Sequence, residues 1–294
     1  MRRIIKEFYR FFRYSAFRKK VFREIKLHQI QNRRLAKEYE STTKSVIIFI
    51  IPGADMSSGT ESVSGGVISI VSIYEETKRV YSLDVETSVI LCTQNEDHAL
   101  LEFKNFENSA RVFRFSQISK YFSGQNSVII HIPELFVKRF YKTLTKNDLR
   151  YFRFVNEVHI NILNQSIHLM PNPKEVHALK SFGNKVTITT AHSQYCNEYY
   201  RDYYNVPLHK LSVWISPEQY NFRLLENKEN LLIYSPDPHP LKSAVIRKLS
   251  KVKDLKLQMI ENMSYTEYKE LISKAKWALT FGEGLDGYFL EPIF

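Results

Sequence analysis

At 294 residues, with 44% hydrophobic and 14% aromatic content, the chain can bury a sizeable core and is long enough for two ordinary domains. Only Cys92 and Cys196 occur, far apart and in no CxxC or Cys/His cluster, which argues against a disulfide scaffold or a structural zinc site and fits a reducing compartment. The formal net charge of +11 raises the question of nucleic acid, but residues 1–40 hold thirteen Lys and Arg against four Glu, so most of the excess belongs to one end.

In that first segment Ile4, Ile5, Phe8, Phe11, Phe12, Phe17, Val21, Phe22 and Ile25 recur at spacings of three and four, the helical period. A basic amphipathic helix of this kind can lie in a headgroup region, its aromatics entering the acyl boundary while each Lys or Arg near anionic lipid contributes about 1 kcal/mol. Packing of the same helix on its own protein is the alternative. No zinc-finger, helix-turn-helix or RNP signature accompanies the charge, so nucleic acid is not the expected partner. No run approaches the roughly 20 apolar residues of a spanning helix. The N-terminus also lacks the uninterrupted apolar core and small-residue cleavage site of a secretory signal. The expected location is cytoplasmic, with peripheral contact to the inner face of a membrane.

After the polar residues 40–44 the pattern changes to short β-branched runs separated by helical ones, the signature of a parallel α/β sheet. Strands are expected at 46–51, 88–92, 127–132, 157–163 and 185–190, and helices at 66–77, 133–143, 173–182 and 193–204. A further apolar run at 211–215 gives way to polar residues near 216–222, and a new unit begins. It reads as strand 230–234, turn 235–240, helix 241–250, strand 255–260, helix 265–276 and strand 277–281, with Ser264 and Glu267 as a capping-box pair. The division expected is therefore a basic helical segment (1–40), a Rossmann-like domain (41–217) and a second Rossmann-like domain (218–294).

The last segment, from Phe281 through Gly282, Glu283 and Gly284 to Glu291 and Pro292, places two glutamates eight residues apart around a Gly-rich turn after a strand. Backbone N–H groups at such a turn suit a phosphate, and carboxylates beside it can accept hydrogen bonds from sugar or ribose hydroxyls. Two surface glutamates round a turn are the bland alternative. At these residues the chain resembles the retaining GT-B glycosyltransferases of the family 4 type, whose Glu-x7-Glu motif opens with Glu-Gly after a strand of the second domain. The resemblance implies an α/β fold of two Rossmann-like domains with parallel sheets, and transfer of a sugar from a nucleoside-diphosphate sugar to a glycan or lipid-linked acceptor in polysaccharide biosynthesis. By the same resemblance Glu283 acts at the transferred sugar, Glu291 binds the nucleotide ribose, and the backbone at Gly284, Leu285 and Asp286 approaches sugar and diphosphate. Family members usually carry Gly-Leu-Pro within the motif, where this chain has Leu285, Asp286, Gly287 and Tyr288, so donor specificity stays open. The chain stops three residues past Glu291, where the family continues through further helices, so either the second domain is incomplete or the resemblance is partial.

Other candidates follow from position. The loop 52–66 joins the first strand to the first helix, and Gly65 and Gly66 at its end would let backbone approach a phosphate or sugar; a plain flexible connection is equally compatible. It is not a GxGxxG, and no acidic residue ends the second strand, so a nicotinamide site fits less well. His131, at the end of its strand, could touch the donor sugar as family histidines do, or simply pack; His192 has a similar position. For the diphosphate, Lys242 is the nearest counterpart of the family's lysine, with Arg247 and His239 as substitutes, although a solvated helix face explains Lys242 and Arg247 as well. No Asp-x-Asp appears, and the resemblance implies a metal-independent reaction without a separate cofactor, in which a helix dipole and cations stabilise the leaving diphosphate. Two other classes stay open: a noncatalytic nucleotide- or sugar-binding homologue, and a basic peripheral scaffold.

Overall fold

The computed structural model describes residues 10–40, 42–53, 65–95, 102–103, 110–211, 220–261, 263, 265–282 and 291–293. Its main sheet has the parallel order β4-β2-β1-β5-β6-β7-β8, with β3 antiparallel on the β4 edge. The strands are β1 Ser45–Ile50, β2 Thr87–Thr93, β3 Glu102–Phe103, β4 Ala110–Arg114, β5 Ser127–Pro133, β6 Glu157–Asn164, β7 Lys185–Thr190 and β8 Leu208–Lys210. The helices flanking them are α1 Ser15–Glu38, α2 Gly65–Val80, α3 Phe115–Tyr121, α4 Val137–Thr143, α5 Lys146–Phe154, α6 Pro173–Ala178 and α7 Glu198–Tyr204.

Strands buried on both faces must be apolar at consecutive positions, which is why β1 reads SVIIFI and buries every residue after Ser45. Val46, Ile48 and Ile50 face one cluster, which takes Leu35 from α1, Phe115 and Ile118 from α3, Phe140 from α4, Tyr151 and Phe152 from α5, Val176 from α6 and Tyr204 from α7. Ile47, Phe49 and Ile51 face the other, which takes Val67, Ile70, Val71 and Tyr74 from α2. Burying each such aliphatic side chain contributes about 1.5–3 kcal/mol. The chain steps from β1 to β2 and β4 on one side, then returns to β5 on the other, so the connection reverses direction between β1 and β5. In open parallel sheets the carboxyl ends of strands flanking such a reversal form the crevice where ligands bind.

A second parallel sheet, of order β10-β9-β11, is built from β9 Glu229–Tyr234, β10 Lys256–Met259 and β11 Ala275–Leu279, connected through α8 Lys242–Leu249 and α9 Tyr265–Lys274. It has its own small core of Leu231, Ile233, Ile260, Tyr268, Ile272 and Ala275.

The chain is thus α/β with two Rossmann-like parallel sheets, and several boundaries differ from those the pattern suggests. The run 133–143 is not one helix: β5 extends through Pro133, a 3-10 turn covers Glu134–Phe136, and α4 follows. Likewise 193–204 divides into a 3-10 turn at Ser193–Tyr195 and α7, with Asn197 capping the Tyr200 amide at 3.1 Å. The eighth strand precedes 211–215; residues 212–219 lie outside the described residues, and with them most of the linker expected near 216–222. In the second sheet α9 ends at Lys274 and β11 begins at once. Ser264, the expected cap of α9, also lies outside the described residues.

Candidate functional site

At the carboxyl end of β1, beside the reversal, Ile51 donates its amide to Cys92 O of β2 at 2.9 Å and the chain leaves the sheet at Pro52 and Gly53. Gly65 and Gly66 are the first two residues of α2, so the glycine pair does open that helix; residues 54–64 of the preceding loop lie outside the described residues.

His131 is not at a strand end. Period-two alternation sends Val128, Ile130 and Ile132 to one face of β5 and His131 to the other, where its ring stacks on Phe49 at 4.4 Å. There it terminates a directed chain of hydrogen bonds across three strands. The Asn161 Oδ1 accepts from Thr187 Oγ1 at 2.9 Å and Thr189 Oγ1 at 3.0 Å, so its Nδ2 donates to His131 Nδ1 at 3.0 Å. Because the Thr187 proton is committed to Asn161, the Thr187 oxygen accepts from His159 Nε2 at 2.7 Å. His131 therefore carries its proton on Nε2. Burial, and secondarily the charge of His159, pushes its pKa down to about 4, so the ring is neutral at pH 7. Burial also lowers His159, with Lys185 adding to the effect.

The carboxyl edge beyond is laced together. Glu134, which sequence reasoning does not single out, is buried at the end of β5 and accepts from the Gln165 amide at 3.2 Å, tying β5 to the segment after β6. Asn164 accepts from Thr190 Oγ1 at 3.2 Å and donates to Ser166 O at 2.8 Å. His192 follows, its ring edge-on to Tyr195 at 5.8 Å, outside the Asn161 chain.

In the smaller sheet the reversal falls between β9 and β11, and a second constellation gathers at their carboxyl ends. Ser235 is fully buried there: its amide donates to Leu279 O at 3.0 Å and its Oγ accepts from the Phe281 amide at 2.9 Å. Lys242, the first residue of α8, donates from Nζ to Ser235 O at 2.8 Å and to Asp237 O at 3.1 Å. Its ammonium also lies over the Tyr234 ring at 5.6 Å and the Phe281 ring at 5.5 Å, both attractive contacts for a cation. His239 stands 5.9 Å from Phe281 ring to ring and accepts from the Leu241 amide. Lys242 and His239 thus meet at this edge. Arg247 does not join them, because it is exposed in the last turn of α8.

Glu291 is buried at the start of a 3-10 turn, Glu291–Ile293, which packs against α9 and β11. Glu283, Gly284, Leu285 and Asp286 lie outside the described residues. Ser235 was legible only as the residue following a strand, whereas its burial depends on β11 lying alongside β9. Among the described residues no group of three or more His, Cys, Asp or Glu could hold a metal ion, and no helix is long and apolar enough to cross a membrane. No protein-family model, curated protein or solved structure matches the chain.

Proposed function

We propose that the chain is a glycosyltransferase of GT-B type that moves a sugar from a nucleoside diphosphate to a glycan or lipid-linked acceptor at the cytoplasmic face of a membrane. The observation that carries this reading is the edge of β9 and β11, where Lys242 puts a cation at the start of a helix. A helix N-terminus with a cation is a favourable place for a diphosphate leaving group. In this reading Glu291 accepts from the ribose hydroxyls, Glu283 and the backbone of residues 284–286 address the sugar, and the Gly65–Gly66 start of α2 with His131 lines the opposite side. The first α/β unit then receives the acceptor and the second holds the donor.

One observation favours a noncatalytic nucleotide- or sugar-binding homologue instead. The Lys242 ammonium already donates to two carbonyls, so it also acts as a strut for the loop after β9. The test is thermal denaturation with a panel of nucleoside diphosphates, followed by donor-sugar turnover. A ligand at 100 times its Kd stabilises by about 2.7 kcal/mol, which is a rise in Tm of roughly 5–10 °C. The rise is expected in the wild type and reduced in Glu291→Gln, which keeps the side-chain shape. No shift with any nucleoside diphosphate overturns the donor site, whereas a shift without hydrolysis or transfer leaves the binder.

A further inference from the structure

The structure divides the N-terminal helix by face rather than leaving it one greasy stripe. One side of α1 is fastened to the main sheet: Glu24 pairs with Arg114, Gln31 Nε2 donates to Val112 O at 2.9 Å, Leu35 is buried, and Glu38 pairs with Arg111 at 2.8 Å. From β4 and α3 the sheet side answers with Gln117, which donates to His28 O at 3.1 Å and Asn32 Oδ1 at 2.8 Å. At about 100° per residue, Phe22 lies about 180° round from Gln31, and Ile25 about 120°. These two point away from the protein and are 60% and 48% exposed.

Extended backbone at Tyr14 separates α1 from the helical residues 10–13 and lets Phe11 fold back against Phe22, ring centroids 5.9 Å apart, with Phe12 beside it at 5.6 Å from Phe11. Arg18 holds this return by donating to Phe12 O at 2.7 Å. An aromatic projection thus continues from Phe22 to Phe12, which is 64% exposed. Around it stand Lys19, Arg23, Lys26 and Arg33, none of which makes an ion pair among the described residues. Between residues 10 and 37 the only acid is Glu24, and it is turned to the sheet.

We propose that this outward face of α1, centred on Phe22 and Ile25, docks on an anionic lipid bilayer. The choice of occupant follows from the pairing of chemistries. The cations complement anionic headgroups, and exposed aromatic and aliphatic side chains on the same face have an acyl boundary to enter, which the phosphate backbone of a nucleic acid does not offer. Since the other face is bolted to the sheet, the whole α/β unit is carried to the membrane in one orientation. The proposal stands whether or not the chain transfers a sugar.

The test is co-sedimentation of the full chain with vesicles of phosphatidylcholine alone and of phosphatidylcholine with phosphatidylserine, at low and high salt. Binding to the anionic vesicles is expected, with little to the neutral ones and a fall at high salt. Each cation removed lowers the affinity about five-fold, so Lys19→Ala with Lys26→Ala lowers it about 25-fold. Phe22→Ser is expected to weaken binding with an unchanged Tm, because the side chain is exposed. A Phe22→Trp variant should shift its emission to the blue with anionic vesicles. Equal binding to both vesicle types, wild-type binding by the charge and Phe22→Ser variants, an unmoved Trp emission, or displacement of bound chain from vesicles by equimolar duplex DNA would each overturn the proposal.

Discussion

A histidine held neutral inside a hydrogen-bond chain makes stability depend on pH. The folded pKa of His131 is depressed to about 4, whereas the unfolded ring takes up a proton near the ordinary value of about 6.5. The unfolded state therefore binds more protons between these limits, and stability present above about pH 6.5 is lost progressively as pH falls toward 4. His159, also lowered by burial, adds in the same direction. Replacing Asn161 by Asp sets a carboxylate 3.0 Å from the ring in place of the amide, and an opposite charge at that distance raises the pKa of His131. The expected result is a His131 titration near pH 4 in the wild type, by NMR, that moves up in Asn161→Asp. A wild-type midpoint at the ordinary value would refute the chain of bonds. Sequence alone makes the residue type and the strand visible. It cannot show that β6 and β7 bring Asn161, Thr187 and Thr189 beside the ring, because that contact is made across 26 to 30 residues of chain.

Whole elements show the same division. Strands β1, β2, β5, β6 and β7 are legible to within a residue or two, because strands covered on both faces are continuous β-branched runs. The helix α5 is not announced by an apolar face, because one of its fully buried residues is Asp148. That carboxylate accepts from the Thr145 amide at 2.6 Å and hydroxyl at 2.7 Å, from Asn95 Nδ2 at 2.8 Å and from Ser119 Oγ. One side chain thus caps α5 and joins it to α3 and to the end of β2. Removing the acceptor leaves the buried Ser119 hydroxyl and the partly buried Asn95 amide without it, so Asp148→Ala is expected to cost about 3 kcal/mol. Thr145→Ala removes the acceptor of the Asp148 amide and one donor to the carboxylate, which keeps its other donors, and costs about 1 kcal/mol. Urea denaturation of the two variants checks the order; equal midpoints would show that the network is not cooperative. The strand β4 also escapes detection, since its five residues carry Arg111 and Arg114 among the apolar ones, and both arginines are used to receive α1.

Among the described residues the two sheets bury apolar clusters of very different extent, and the donor reading attaches to the smaller sheet. The main sheet is covered by clusters on both faces, while the second sheet has three strands around Leu231, Ile233, Ile260, Tyr268, Ile272 and Ala275. The fraction of apolar surface removed from water rises with the size of the folded unit, so the second unit should open at a lower free energy than the first. Amides of β9, such as Ile233, are then expected to lose hydrogen-exchange protection at lower urea than those of β1, such as Ile48, although both side chains are fully buried. A nucleoside diphosphate held at the β9 and β11 edge stabilises only the state that holds it, by about 2.7 kcal/mol at 100 times Kd, and so should raise the protection of Ile233 while leaving Ile48 where it was. If the two amides exchange together at every urea concentration, the sheets unfold as one unit. If they separate but the nucleotide protects β1 instead, the ligand sits in the β1 and β5 crevice, and the assignment of donor and acceptor units is reversed.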